Sequence, residues 1–217
     1  MVIRIGTMFM GEVDSVGSQS IQTKFFVLGV PLLPLGSFYF TSPGRGVEIP
    51  IHGKSVLAGY LRLVLGLAAV GLVIRLFVMS SWHRDVGDWV VAFASIALAI
   101  GSVFFLGRLG SAEKARRTVL LARTGLAADP AVLPTHIRHD IERDLRARLE
   151  AKELPLRPDA WTARAAGGAG VGGPYRHGVD EVDPAAWGDV YAYARYAAID
   201  DGAWKAALEP IWSNVVA

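Results

Sequence analysis

Two apolar blocks in succession near the middle of the chain constrain its folding more than any other feature. Residues 56–79 (VLAGYLRLVLGLAAVGLVIRLFVM) form a run of 24 with only two charges, Arg62 and Arg75. At 1.5 Å per residue they make roughly 36 Å of helix, enough to cross a hydrocarbon core of about 30 Å. Residues 89–107 (WVVAFASIALAIGSVFFLG) add a run of 19 with no charge at all. The nine residues between them, 80–88, are a connection short enough to fold two helices into an antiparallel hairpin. The expected core of the fold is therefore an integral membrane α-helical hairpin of two transmembrane helices.

Composition points the same way. Hydrophobic residues make up 52% of the 217 and charged residues 19%, where an ordinary soluble domain carries about 25% charge. Mean hydropathy is +0.36. This excludes an ordinary soluble single domain and a disordered chain. There is no cysteine, which excludes a disulfide scaffold, thiolate catalysis, Cys-ligated zinc and iron–sulfur clusters. Lys and Arg number 22 against 20 Asp and Glu, for a formal net charge of +2. With no long basic run, nucleic acid is not an expected partner.

Arg62 and Arg75 lie near opposite ends of the first block, so each guanidinium can reach its own headgroup layer. Trp82 and Trp89 flank the 80–88 loop, at the depth where aromatic belts form. These four residues are the expected membrane-interface anchors. For Arg75, a second reading is an ion pair with Asp85 or Asp88. Small residues line one side of each block, Gly59, Gly66 and Ala69 in the first and Ala94, Ala97 and Gly101 in the second. They suit either packing of the two helices on each other or docking of a partner helix. Arg45 and Lys54 precede the blocks, and Arg108, Lys114, Arg116 and Arg117 follow them, against Arg84 alone in the loop. The positive-inside rule then places the loop outside and both termini in the cytoplasm. Arg far outnumbers Lys, and Ala and Gly are abundant, as in GC-rich bacterial genes. The expected location is the bacterial plasma (inner) membrane, as a multi-pass protein. The opening MVIRIGTMFMG has too short an apolar run for a secretory signal.

Residues 1–53 read as a small β-rich cytoplasmic module. Strands are expected over 21–30 and 36–42, a turn at 43–46, a short strand over 47–53, and another over 1–9. Pro31 and Pro34 argue against a regular central strand between them. Phe25, Phe26, Phe38, Tyr39 and Phe40 are an apolar group suited to a core, to lipid or to a partner. The run KFFVLGVPLLPLGSFYF (24–40) resembles the strand-turn segment that opens small bacterial zinc-ribbon proteins. In that family, cysteine pairs follow and hold zinc. This chain has none, so the resemblance implies a β-hairpin module and no metal role.

After the blocks, residues 110–154 read as cytoplasmic helices. Ser111 caps a first helix to about Thr124, and Thr135 opens a second over 136–152. In the second, Ile137, Ile141, Leu145 and Leu149 form a narrow apolar stripe, with Glu142/Arg146 and Asp144/Arg148 as i,i+4 pairs. Residues 155–182 are rich in Gly and Pro and read as a linker, whose AAGGAGVGG (165–173) lacks the context of a phosphate loop. Residues 183–217 read as an aromatic-rich helical docking segment, started by Asp183-Pro184. Its partner-contact candidates are Trp187, Tyr191, Tyr193, Tyr196, Trp204 and Trp212, since aromatics dominate binding hot spots. The competing reading packs them on the 110–154 helices.

His136, His139, Asp140 and His177 are the only candidates for metal or catalysis. Two imidazoles at i,i+3 depart from the i,i+4 spacing of helical zinc sites, so no metal, cofactor or catalytic residue is expected. The resulting expectation is a non-catalytic accessory or scaffold subunit of a larger bacterial membrane complex. Its partners would be the other subunits and the lipid bilayer, and homo-oligomerisation stays open. The alternative is a stand-alone membrane adaptor or sensor that captures a soluble partner with its C-terminal helix.

Overall fold

The computed structural model describes residues 5–28, 30–42, 44–78, 86–105, 108–169 and 184–216. The chain divides into two compact units, Met1–Lys114 and Ala115–Ala217.

Unit 1 opens with a four-stranded antiparallel meander, β1 (Ile5–Val16), β2 (Gln19–Leu28), β3 (Val30–Ser42) and β4 (Arg45–Ile49), paired in sequence order. Alternation along β2 and β3 sets the two faces. Ile21, Thr23 and Phe25 share one face with Ser37 and Tyr39, and all five are buried. Phe9, Phe38 and Phe40 meet edge to face or tilted on the other. β1 carries bulges on either side of Val13, where its register against β2 slips.

β3 runs unbroken through Pro31 and Pro34, contrary to the expectation from the prolines. The reason is the length of β4. It pairs only with Ser37–Ser42 of β3, so the proline half of β3 has a free outer edge, where a missing N–H breaks no ladder bond. The register of β2 on β3 also shifts beside both prolines.

α1 (Gly53–Val78) begins on the buried face of the sheet and continues well beyond it. α2 (Val86–Phe105) lies against α1. The expected hairpin of two transmembrane helices is corrected here. Among the described residues, α1 is the one helix long and apolar enough to cross a membrane, over Gly53–Arg75, 23 residues. In α2 the apolar stretch among the described residues is the shorter Trp89–Leu98, and the side chains of 102–107 lie outside the described residues. The multi-pass arrangement and the cytoplasmic placement of both termini rested on the second span and draw no support from the structure. α1 is no core helix, because only 17% of its apolar window is buried.

Unit 2 is helical, with α3 (Ser111–Thr124), a single 3-10 turn (Pro130–Val132), α4 (Thr135–Ala151), α5 (Pro158–Ala169), α6 (Pro184–Ala197) and α7 (Gly202–Val215). Asp129 caps the 3-10 turn and Asp201 caps α7, each accepting from the backbone two residues on. α6 is buried on all sides from Ala186 to Ala194, as befits the central helix of a bundle. α4 and α7 pack against it, and α5 packs against α7.

Candidate membrane-anchoring site

The candidate site of unit 1 is the joint between sheet and α1. Helix and sheet approach closely because two glycines face each other. An added Cβ on Gly11 would stand 2.0 Å from the Ser55 carbonyl oxygen, and one on Gly59 would stand 3.0 Å from the Phe25 ring. Gly11 also has φ of +71°, the left-handed conformation that glycine adopts without strain.

A chain of buried hydroxyls closes this joint. Thr23 Oγ1 donates to Ser55 Oγ at 2.9 Å, and Ser55 Oγ donates to the Gly11 carbonyl at 2.6 Å. Thr23 has one proton and spends it on Ser55, so the 3.0 Å contact with Ser37 Oγ runs from Ser37 to Thr23. Ser37 in turn accepts from the His52 backbone N–H at 2.9 Å. The chain therefore has one direction, His52 to Ser37 to Thr23 to Ser55 to Gly11, and links β3, β2, α1 and β1. Lys54 reinforces it through a 2.6 Å ion pair with Asp14, which is buried. Replacing Thr23 by valine, of the same shape, strands the Ser37 proton and removes the donor to Ser55. A loss of about 1–3 kcal/mol is expected, read as a lower thermal midpoint in detergent, with Thr23→Ser close to the parent.

Beyond the joint, α1 presents Leu57, Leu61, Val64, Leu67, Val70 and Ile74 as exposed side chains, three or four residues apart. Arg62 donates to the Glu12 carbonyl at 3.0 Å and is drawn back to the sheet. Arg75 stands exposed in the last turn. Trp89 is exposed on α2 and stacks on Phe93, with centroids 6.2 Å apart. Trp82, Asp85 and the Asp88 side chain lie outside the described residues.

In unit 2 the aromatic residues expected to dock a partner are core residues, a second correction. Trp187, Tyr191, Tyr193, Tyr196 and Trp204 are buried. Trp212 is half-buried, with its ring 4.8 Å from Tyr191 and beneath the Arg116 guanidinium at 5.5 Å. Tyr193 packs edge to face on Trp204, and its hydroxyl accepts from Arg146 at 3.1 Å. That hydrogen bond raises the Arg146 pKa further above its ordinary value. A third correction concerns the expected linker. Its first part forms α5, whose Trp161 is fully buried, donates to the Pro155 carbonyl at 2.7 Å and meets Trp187 edge to face. Residues 170–183 lie outside the described residues.

Ion pairs, two of them on the buried Asp189, complete unit 2. Asp189 pairs with Lys152 at 2.6 Å and with Arg123 at 3.5 Å, and Asp129 pairs with Arg195 at 3.2 Å. Glu142 and Arg146 stand 3.9 Å apart on α4. Arg148 turns instead to the Arg123 carbonyl at 2.9 Å. His136 and His139 are exposed on α4, Asp140 pairs with Arg143, and His177 lies outside the described residues.

Burial pushes the Tyr196 phenol up to about 12, with Asp129 adding to the shift and the nearby Thr124 hydroxyl opposing it. An unfolded tyrosine ionises near 10. Above that pH the unfolded chain has released a proton that the folded chain still holds. Stability therefore falls as pH rises from about 10 to 12, by about 2 kcal/mol from this group. Unfolding midpoints of Tyr196→Phe and the parent, compared between neutral pH and pH about 11, should show the parent losing more.

Comparison of the chain with protein-family models, curated proteins and solved structures gives no match.

Proposed function

We propose that this protein is a non-catalytic accessory or scaffold subunit of a larger bacterial membrane complex, anchored by α1. The observation that carries the reading is the pairing of a long, largely exposed apolar helix with a rigid foot. Leu57, Leu61, Val64, Leu67, Val70 and Ile74 offer apolar surface far beyond what the sheet covers. Monomeric soluble proteins rarely leave so much contiguous apolar surface in water, and lipid or apolar helices of neighbouring subunits would cover it. The hydroxyl chain fixes that helix to a β module of a kind suited to holding position.

The adaptor alternative, capture of a soluble partner by the C-terminal helix, draws no support from unit 2. The aromatic side chains it would use are packed inside the unit.

The test is extraction of the native membrane in mild detergent, followed by sizing and mass spectrometry of co-migrating chains. The expected result is a large assembly of fixed stoichiometry. A small species containing this chain alone would reject the subunit reading. Recovery in the soluble fraction, without detergent, would reject the anchor itself.

A further inference from the structure

The joint also gives α1 a direction relative to the sheet. At its start, Ser55 meets Thr23 of β2, which pairs with Ser37 of β3. One turn on, Gly59 lies against the Phe25 ring. Tyr60 then packs edge to face on Phe25, and its hydroxyl donates to the Leu32 carbonyl at 2.8 Å. As α1 advances from 55 to 60, its partners advance along β2 from 23 to 25 and retreat along β3 from 37 to 32. The helix therefore runs toward the β2–β3 hairpin tip, the end at which Leu28 pairs with Val30. Strand residues rise about 3.3 Å each, so the tip extends about 7 Å past the level of Leu32.

That end of the sheet is apolar and uncovered. No charged residue occurs between Lys24 and Arg45. Leu28, Leu32, Leu33 and Leu35 are all exposed, Leu33 at 61%, and Met8 on the adjoining β1 is exposed as well. The outer edge of β3 is blocked there by Pro31 and Pro34, which suits it poorly for pairing with another strand. The opposite end of the sheet carries Arg45, and Glu48, level with Phe38 in mid-sheet, is the exposed charge nearer the tip. Tyr60 stands beside the tip, a residue type that favours the membrane–water interface.

We infer that the β2–β3 hairpin tip, Leu28 with Leu32, Leu33 and Leu35, is a second membrane contact that dips into the same bilayer leaflet α1 enters. The inference rests on α1 being the anchor. Lipid is the occupant for two reasons. The tip is continuous with the exposed apolar surface of α1 on the side toward which the helix leaves the sheet. It also offers no charge for a protein partner to read, and Pro31 and Pro34 take two donors out of the strand beside it. The contact is apolar, so it depends on neither anionic lipid nor salt.

The chain contains no cysteine, so single labels are direct. The full-length variants Leu33→Cys, Glu48→Cys and Leu67→Cys would carry an environment-sensitive fluorophore in vesicles of zwitterionic lipid, and again with anionic lipid added. Quenching by lipid-borne nitroxide is compared with quenching by aqueous iodide. The expected result is strong lipid quenching at Leu67, several-fold more lipid quenching at Leu33 than at Glu48, and no change with anionic lipid. Lipid quenching at Leu67 with iodide quenching at Leu33 overturns the tip contact and leaves the anchor standing. Shielding of Leu33 from both quenchers shows protein covering the tip and also overturns it. Iodide quenching at Leu67 overturns the anchor and the tip contact together. Lipid quenching at Leu33 only when anionic lipid is present overturns the apolar mode of contact.

Discussion

Gly11→Ala is expected to detach α1 from the sheet and to destabilise unit 1 by about 4 kcal/mol or more. Two effects add. A side chain at φ +71° carries a conformational cost of about 1–2 kcal/mol. The larger effect is steric, because the new Cβ would stand 2.0 Å from the Ser55 carbonyl oxygen, a backbone atom that no rotamer change can move. Relief requires α1 to lift, and lifting breaks the Ser55–Gly11 and Thr23–Ser55 hydrogen bonds together. Gly44→Ala separates the two effects. Gly44 also has a positive φ, +80°, but nothing lies within 4 Å of where its Cβ would stand. Pulse proteolysis in detergent should show Gly44→Ala losing about 1 kcal/mol and Gly11→Ala losing several times more. Equal losses would mean that the close approach contributes nothing.

Trp161→Ala should unfold much of unit 2. Trp161 is fully buried, lies edge to face against Trp187 at 5.1 Å, and carries the Arg164 guanidinium over its ring. Truncation leaves a cavity and an unpaired Pro155 carbonyl, for a loss of about 3–5 kcal/mol. That is a large share of the roughly 5–15 kcal/mol that holds a domain together. Near-UV circular dichroism and the cooperativity of thermal unfolding report it directly. Trp161→Phe keeps the ring contact and loses only the hydrogen bond to the Pro155 carbonyl, so it should fall between. A flexible tether at this position would tolerate both substitutions without effect, which makes the pair a test of α5 itself.

The two units differ in how much of them is legible in the sequence, and the reasons are physical. β2 and the later half of β3 follow from period-2 patterning and β-branched residues, and α4 follows from its stripe of Ile and Leu. The earlier half of β3 does not follow, because whether a proline breaks a strand depends on which edge is paired, and the short reach of β4 is a tertiary fact. The second apolar block is rich enough in hydrophobic residues to suggest a span, but among the described residues only α1 is long and apolar enough to make one. α5 is hidden by the glycines of its last turn, Gly167 and Gly168, and by those that follow in the sequence. Pro158 is in fact a favourable first helical residue, and Trp161 and Ala165, one turn apart, form its buried side. The aromatic run of α6 reads as a docking surface when taken residue by residue. Its small and apolar residues on every side were the signal for a central helix, since an exposed helix keeps one polar face. The joint itself was missed. Thr23, Ser37 and Ser55 look like ordinary polar residues, and only the register of β2 on β3, with α1 laid across them, brings the three hydroxyls together.

The one-way hydroxyl chain has a mechanical consequence. A transmembrane helix held only by greasy contacts can spin about its own axis in the bilayer, since lipid looks the same from every side. α1 cannot spin relative to its sheet, because Ser55 is gripped from β2 and grips β1, and Gly59 fits only against Phe25. One residue of slip would turn the helix by about 100° and break every one of these contacts at once. The compass bearing of the β module is thereby tied to the bearing of α1. With α1 as the anchor proposed above, a neighbour that seized one side of the helix would also decide which way the sheet faces at its foot.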